Sequence, residues 1–327
     1  DLECLDMHTG GEPLRIILSG YPKLKGSTIL EKRRDAKENY DHLRQSLIFE
    51  PRGHADMYGC ILTDACSADA DFGVLFIHNE GYSTMCGHAI IAIATALFKS
   101  GAIGKNEIRI ESPAGIIHAY GRFNEKRELL SVYFHNVPSF VDELDAKINV
   151  PGLGTIHYDL AFGGAYYAFV DAERLDLSLM PDNQRQLIDT AMRIKRQIMA
   201  ERKIVHPLES DLSFLYGVIF TGKAHSAENH SRNVCIFANG EVDRSPTGTG
   251  VSARAAIHFA RNEIELGQAI QIESIVDSVF SVSAIEECDF HGKAAIIPQV
   301  EGQAHISGRS RFIIDPQDPL KNGFLIR

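Results

Sequence analysis

Two stretches hold residue types arranged for chemistry. Residues 82–97 read YSTMCGHAIIAIATAL, and residues 243–256 read DRSPTGTGVSARAA. Each runs from a turn, through glycine, into the opening of a helix. The first sets Cys86 at the helix start, followed by Gly87 and His88. The second sets Thr247 there, followed by Gly248 and Thr249. A helix N-terminus presents N–H groups with no intrahelical partner and a partial positive charge. It suits a carboxylate or phosphate, and it lowers the pKa of a cysteine placed on it. Cys86 is therefore a candidate thiolate base. The N–H groups of Gly87, His88, Gly248 and Thr249 are candidate carboxylate donors, and Asp243 and His88 are candidates to reach a substrate amine. Each residue also has a plainer reading. Cys86 is then a buried inert thiol, His88 a packed first-turn histidine, Asp243 a turn residue and Thr247 an ordinary N-cap.

The elements that position these residues occur twice. MYGCILT (57–63) matches LYGVIFT (215–221), and GVLFIHN (73–79) resembles NVCIFAN (233–239). IRIES (108–112) matches IQIES (270–274), and GGEPLRI (10–16) faces GGAYYAF (163–169). The two helix entrances fall in the same order, at nearly the same offset. A repeated order of this kind indicates two copies of one module. Each copy reads as strands, a glycine turn, a helix, then more strands. The helix after Cys86 is apolar on every side, which predicts a buried helix, with Gly101 as its terminator. Residues 31–47 and 182–203 read as surface helices, their charges forming solubility faces. The junction between modules is expected near 149–155, giving a first module over 1–150 and a second over 151–303. The tail, 304–327, is expected to complete the first module.

Composition narrows the partners. The chain has 327 residues, 44% hydrophobic, with a formal net charge of -10. That charge argues against nucleic acid. The longest apolar run, 89–98, is about half of what a membrane-spanning helix needs. Six cysteines without a C-x-x-C pair fit a reducing cytoplasm and offer no zinc-ligand spacing. His8, His54, His225 and His230 read as turn or surface residues, so no metal is expected.

MCGHAIIA and DRSPTGTGVSAR resemble the two active-site motifs of the proline racemase family. DMHTGGEPLRI (6–16), EPRGHADMYG (50–59) and SGRSRFIIDPQDPL (307–320) resemble further family landmarks, so the resemblance runs nearly the whole chain. It implies an α+β fold like that of diaminopimelate epimerase: two pseudo-symmetric modules, each with strands wrapped around a central helix, and the active site between halves. It also implies a small amino-acid substrate and no cofactor, and a homodimer is compatible with it. In the racemases and 4-hydroxyproline epimerases of the family both motifs carry cysteine, one removing the α-proton and the other returning it. Here Thr247 replaces the second cysteine, and Ala89 and Val251 stand where many racemases have glycine and threonine. The Cys/Thr pairing resembles the family's dehydratase branch, which acts on trans-3-hydroxy-L-proline. Carried over residue by residue, the resemblance makes Cys86 the proton acceptor. It makes Gly87, His88, Asp243, Thr247, Gly248 and Thr249 substrate-binding positions.

The substitution has a chemical rationale. A threonine hydroxyl is no useful acid or base near neutral pH, whereas two-base racemisation needs one on the second face. Elimination does not. In trans-3-hydroxy-L-proline the α-hydrogen and the 3-hydroxyl share one face of the ring, so a single sulfur serves that face. The alternatives are a proline racemase or 4-hydroxyproline epimerase that uses another acid, and a binding protein that has lost turnover.

Overall fold

The structure is a computed structural model and describes residues 1–102 and 104–326. Contacts divide it into two compact units, 1–134 with 303–327 and 135–302. The last residue of the expected tail, Arg327, lies outside the described residues.

In the first unit β1 (Leu2–Thr9) and β2 (Glu12–Ser19) form a hairpin. Its turn is Gly10–Gly11, with φ 57° and 91°. Two consecutive positive φ values in a two-residue turn call for glycine. Helices α1 (Ile29–Asn39) and α2 (Asp41–Ile48) lead to β3 (Tyr58–Thr63), which lies parallel to β2. Then follow β4 (Phe72–His78), β5 (Gly81–Ser83), α3 (Gly87–Ser100), β6 (Glu107–Ser112), β7 (Gly115–Phe123) and β8 (Leu129–His135). β4 pairs antiparallel with β3 and β5, and parallel with β6, which turns back into β7. The last strand, β18 (Ala304–Phe312), pairs antiparallel with β1, setting Leu2 opposite Phe312 and Thr9 opposite Ala304.

In the second unit β9 (Ser139–Val150), β10 (Gly154–Phe162) and β11 (Tyr166–Asp171) are antiparallel neighbours. Helix α4 (Gln184–Glu201) leads to β12 (Leu215–Gly222), parallel to β11. Then follow β13 (Ser231–Phe237), β14 (Glu241–Val242), α5 (Gly248–Ala260), β15 (Ile270–Glu273), β16 (Val279–Phe290) and β17 (Lys293–Gly302). β13 is antiparallel to β12 and β14 and parallel to β15, and β15 turns back into β16. β17 pairs with β16 and with β9, which closes the circuit of strands within this unit.

The order of pairings is the same in both units, and every repeated segment lands on equivalent elements: β3 with β12, β4 with β13, β6 with β15. The repeated glutamate of IES has one task in both. Glu111 Oε2 accepts the Cys66 N–H at 2.6 Å, holding the β3–β4 loop. Glu273 accepts the His225 and Ser226 N–H groups at 2.7 and 2.9 Å in the β12–β13 loop. The hairpins differ by one residue. Where the first unit turns on Gly10–Gly11, the second uses Gly163, Gly164 and Ala165 between Phe162 and Tyr166.

Helix α3 packs against β1, β2, β7 and β18. Ile90, Ile91 and Ile93 are at most 1% exposed, each burial contributing about 2 kcal/mol. Gly101 ends the helix in the left-handed conformation, φ 68°, its N–H donating to the Phe98 carbonyl. Helix α5 packs against β9, β10, β11, β16 and β17. The stretch 31–47, expected as one solvated face, is instead two helices broken at Tyr40, with buried cations. Arg44 is 4% exposed because it donates to the His78 and Asn79 carbonyls and pairs with Asp41. Lys32 likewise reaches Thr63 and the Asp64 carbonyl. Helix α4 buries Leu187, Ala191, Ile194 and Ile198 along one face and leaves Ile188 half-buried. Among the described residues no helix is long and apolar enough to cross a membrane.

Candidate active site

Cys86 is the residue before the first turn of α3. Its backbone is extended, φ -147° and ψ 105°, and its carbonyl accepts the first intrahelical bond, from Ile90 N–H at 3.1 Å. The N–H groups of Gly87, His88 and Ala89 lie ahead of that bond. The sulfur makes no capping bond; it lies 3.1 Å from Nδ1 of His88. Cys86 is 5% exposed and His88 4%, so charges on this pair are little screened by water.

The imidazole is held from several sides. Its Nε2 is 3.2 Å from the Pro13 carbonyl oxygen, just beyond the Gly10–Gly11 turn. Thr9 Oγ1 donates to the His88 carbonyl at 2.8 Å. The ring meets Tyr58 edge-on, centroids 4.8 Å apart, and the Tyr58 hydroxyl is bonded to Ser83. The β1–β2 hairpin and the start of β3 therefore position the first turn of α3.

Thr247 holds the corresponding place before α5. Its φ is 69° and ψ 97°, a left-handed backbone that is rare for a β-branched side chain. It is 5% exposed, and its Oγ1 is buried without a hydrogen-bond partner among the described residues. Backbone strain costs about 1–3 kcal/mol, and a buried unsatisfied hydroxyl a similar amount. Two such costs on one residue mark a site held for a purpose other than stability. The turn before it is internally bonded: Ser245 N–H donates to Asp243 Oδ1 at 2.7 Å, and Thr247 N–H to Ser245 Oγ at 3.1 Å. The Asp243 side chain thus shapes this turn.

The first intrahelical bond of α5 runs from Val251 N–H to the Thr247 carbonyl at 2.7 Å, leaving the Gly248, Thr249 and Gly250 N–H groups ahead of it. The Thr249 hydroxyl is engaged by the Tyr167 hydroxyl at 2.7 Å. A Cβ on Gly163 would stand 2.2 Å from the Thr249 carbonyl oxygen, so glycine permits the β10–β11 link to touch the helix. Asn136 Nδ2 secures that contact, donating to the Gly163 carbonyl at 2.7 Å and to Ser252 Oγ at 2.9 Å.

The structure gathers Cys86, Gly87 and His88 at the start of α3, and Thr247, Gly248 and Thr249 at the start of α5, with Asp243 in the turn that leads into it. Sequence reasoning missed Thr9, Pro13, Tyr58, Asn136 and Tyr167. For Thr9, Pro13 and Tyr167 the signal lay in and beside the repeated GG segments, which were legible as part of a duplication but not as props for a helix start. Elsewhere, burial pushes the Cys4 thiol up to about 12, and Cys60 and Cys235 are fully buried, as inert apolar thiols are. One acidic cluster has metal-like spacing, His225, Glu273 and Asp277, with ligand atoms within 4.8 Å. Its charge is already met by Arg232, which bonds both carboxylates.

A family model described as proline racemase matches residues 4–325. The chain belongs to the proline racemase family. Among its relatives, a protein of Colwellia psychrerythraea named trans-3-hydroxy-L-proline dehydratase is 51% identical over 330 residues, covering 100% of this chain and 93% of that one. A Homo sapiens protein of the same name is 44% identical over 335 residues, covering 100% and 95%. The fold is that of proline racemase. A hydroxyproline epimerase from Agrobacterium vitis, solved with bound trans-4-OH-L-proline, superposes with a TM-score of 0.92 at 32% identity, covering 99% and 95%.

Proposed function

We propose that this member of the proline racemase family removes water from trans-3-hydroxy-L-proline to give pyrroline-2-carboxylate, without a cofactor. The observation that carries the reading is the unlike pair at equivalent helix starts: a sulfur at position 86 and a hydroxyl at 247. The Cys86 thiolate takes the α-proton. Charge building on the substrate carboxylate is met by N–H groups at the starts of α3 and α5, which cost no reorganisation as the charge develops. The bond from C3 to oxygen breaks, hydroxide leaves with a proton from the same face, and the enamine tautomerises to the cyclic imine in solution.

In this reading Gly87, His88, Gly248 and Thr249 bind the substrate through their backbone N–H groups. Asp243 serves the substrate amine with the carboxylate oxygen that its turn does not use. Thr247 meets the substrate on the other face, and the substrate gives its orphaned hydroxyl a partner. Each unit's strands wrap around its helix, α3 or α5, so that the helix start is fixed by the surrounding hairpins. Relatives named as dehydratases, identical at about half their positions, support the substrate. Six cysteines outside any disulfide fit a reducing cytoplasm.

The test is a product assay in heavy water. Incubation with trans-3-hydroxy-L-proline should yield the cyclic imine. Incubation with trans-4-hydroxy-L-proline or L-proline should leave the α-carbon configuration unchanged. An inverted, α-deuterated product would instead assign the chain to the epimerases.

A further inference from the structure

We propose that His88 is the proton partner of Cys86: it takes the thiol proton in the resting protein, so that the base is a thiolate–imidazolium pair. The inference begins with Nε2, which faces the Pro13 carbonyl oxygen at 3.2 Å. A carbonyl oxygen only accepts, so Nε2 carries hydrogen in either charge state of the ring. In the neutral ring Nδ1 is then left with its lone pair. Nδ1 is the nitrogen 3.1 Å from the Cys86 sulfur, whereas Nε2 stands 3.7 Å away. Nδ1 is therefore the acceptor nearest the thiol proton; the two distances set the sulfur over the ring, and a rotation of the Cys86 or His88 side chain brings it into line with the Nδ1 lone pair.

Three further observations bear on the pair. Thr9 fixes the His88 carbonyl and Tyr58 braces the ring, so the imidazole is held in place beside the Pro13 carbonyl. Titratable groups beside the ring include, among the described residues, Tyr58, with its hydroxyl on Ser83, and His78, stacked on Tyr58 with centroids 5.6 Å apart. The repeat supplies an internal contrast. In the second unit Thr247 replaces Cys86 and Thr249 replaces His88, and the Thr249 hydroxyl is bonded to Tyr167. Sulfur and imidazole are present together in one copy and missing together from the other.

Resting on the proposed dehydration, the pair also balances the reaction. It starts with one proton, on Nδ1. Cleavage of the Cα–H bond puts a second on sulfur while the electron pair stays on the substrate. Breaking the C3–O bond uses that electron pair for the new double bond and releases hydroxide, which takes one proton from the pair and leaves as water. The pair returns to one proton, and nothing is oxidised or reduced.

The test reads the pair without substrate. The thiolate ultraviolet absorption of the full chain at neutral pH, taken as the difference from Cys86→Ala, should be present and should fall about tenfold or more in His88→Asn, which keeps a donor toward sulfur but cannot hold a proton. His88→Gln, which can still reach Pro13, should lose it as well. Histidine 15N NMR covers the case in which these variants do not fold: His88 should be an imidazolium in the parent and neutral in Cys86→Ala. A parent without thiolate absorption, a His88→Asn protein that keeps it, or a neutral His88 in the parent would each overturn the inference. Should the substrate assignment fail while the absorption follows His88, the proton pair stands and only the reaction is reassigned.

Discussion

Nδ1 of His88 and the sulfur of Cys86 lie 3.1 Å apart at the start of one buried helix. That start holds the only thiol of the two helix starts, so catalysis should depend on it steeply. Cys86→Ala should lower turnover of trans-3-hydroxy-L-proline by about 10³-fold, within the range for loss of a positioned acid–base group. Its melting temperature should change little, since the sulfur caps nothing. Activity near the parent level would remove Cys86 from the mechanism.

Thr247 should show a trade between stability and function. Thr247→Val keeps the shape and removes the orphaned hydroxyl, so chemical denaturation should show a gain of about 1 kcal/mol. Dehydration should fall in the same protein. Thr247→Cys should behave differently, because it restores a second sulfur. In heavy water it should yield inverted, α-deuterated product from proline-type substrates, whose configuration the parent is expected to leave unchanged. NMR of the recovered amino acid decides the matter.

Acid stability should follow Glu273. Burial pushes its carboxyl up, but bonds from Asn229, the His225 and Ser226 N–H groups and Arg232 outweigh this and hold it at about 2. A carboxylate depressed on folding contributes stability above its unfolded value near 4.5, and the contribution is lost as pH falls toward 2. Glu273→Gln should therefore cost about 3 kcal/mol at neutral pH. The gap from the parent should narrow between about pH 4.5 and pH 2, because the parent then loses the same charge. Urea titrations across that window provide the check; a gap independent of pH would contradict it.

Gly163→Ala should harm the start of α5. The added methyl would stand 2.2 Å from the Thr249 carbonyl oxygen, and backbone cannot yield as a flexible side chain does. A loss of roughly 2 kcal/mol or more is expected, with a drop in turnover beyond that of an equally destabilised variant remote from α5. Equal turnover at equal stability would show that this contact does not set the helix start.

Much of this was legible because the physics is local. The β-rich composition of MYGCILT and LYGVIFT suffices for strands, and an all-apolar helix after Cys86 has to be buried. The glutamate of IES could be seen to repeat, but its use as a clamp on a distant loop could not, since it acts on backbone N–H groups that carry no side-chain signature. The same limit hid the props at the helix starts. Pro13 works through its carbonyl and Gly163 through the absence of a Cβ. Residues 31–47 misled for another reason. Charge there reads as solvation, but Arg44 and Lys32 are drawn inside by carbonyl groups that only the folded chain brings near. The strain at Thr247 also left no trace, because threonine is an ordinary residue to find before a helix.

The pairing of β18 with β1 has a consequence for biosynthesis. The ribosome releases β1 some three hundred residues before its partner β18. Residues 135–302, which close their own ring of strands, emerge complete before that partner exists. The unit made second is thus able to mature first, while the unit begun first waits with an open edge until β18 emerges.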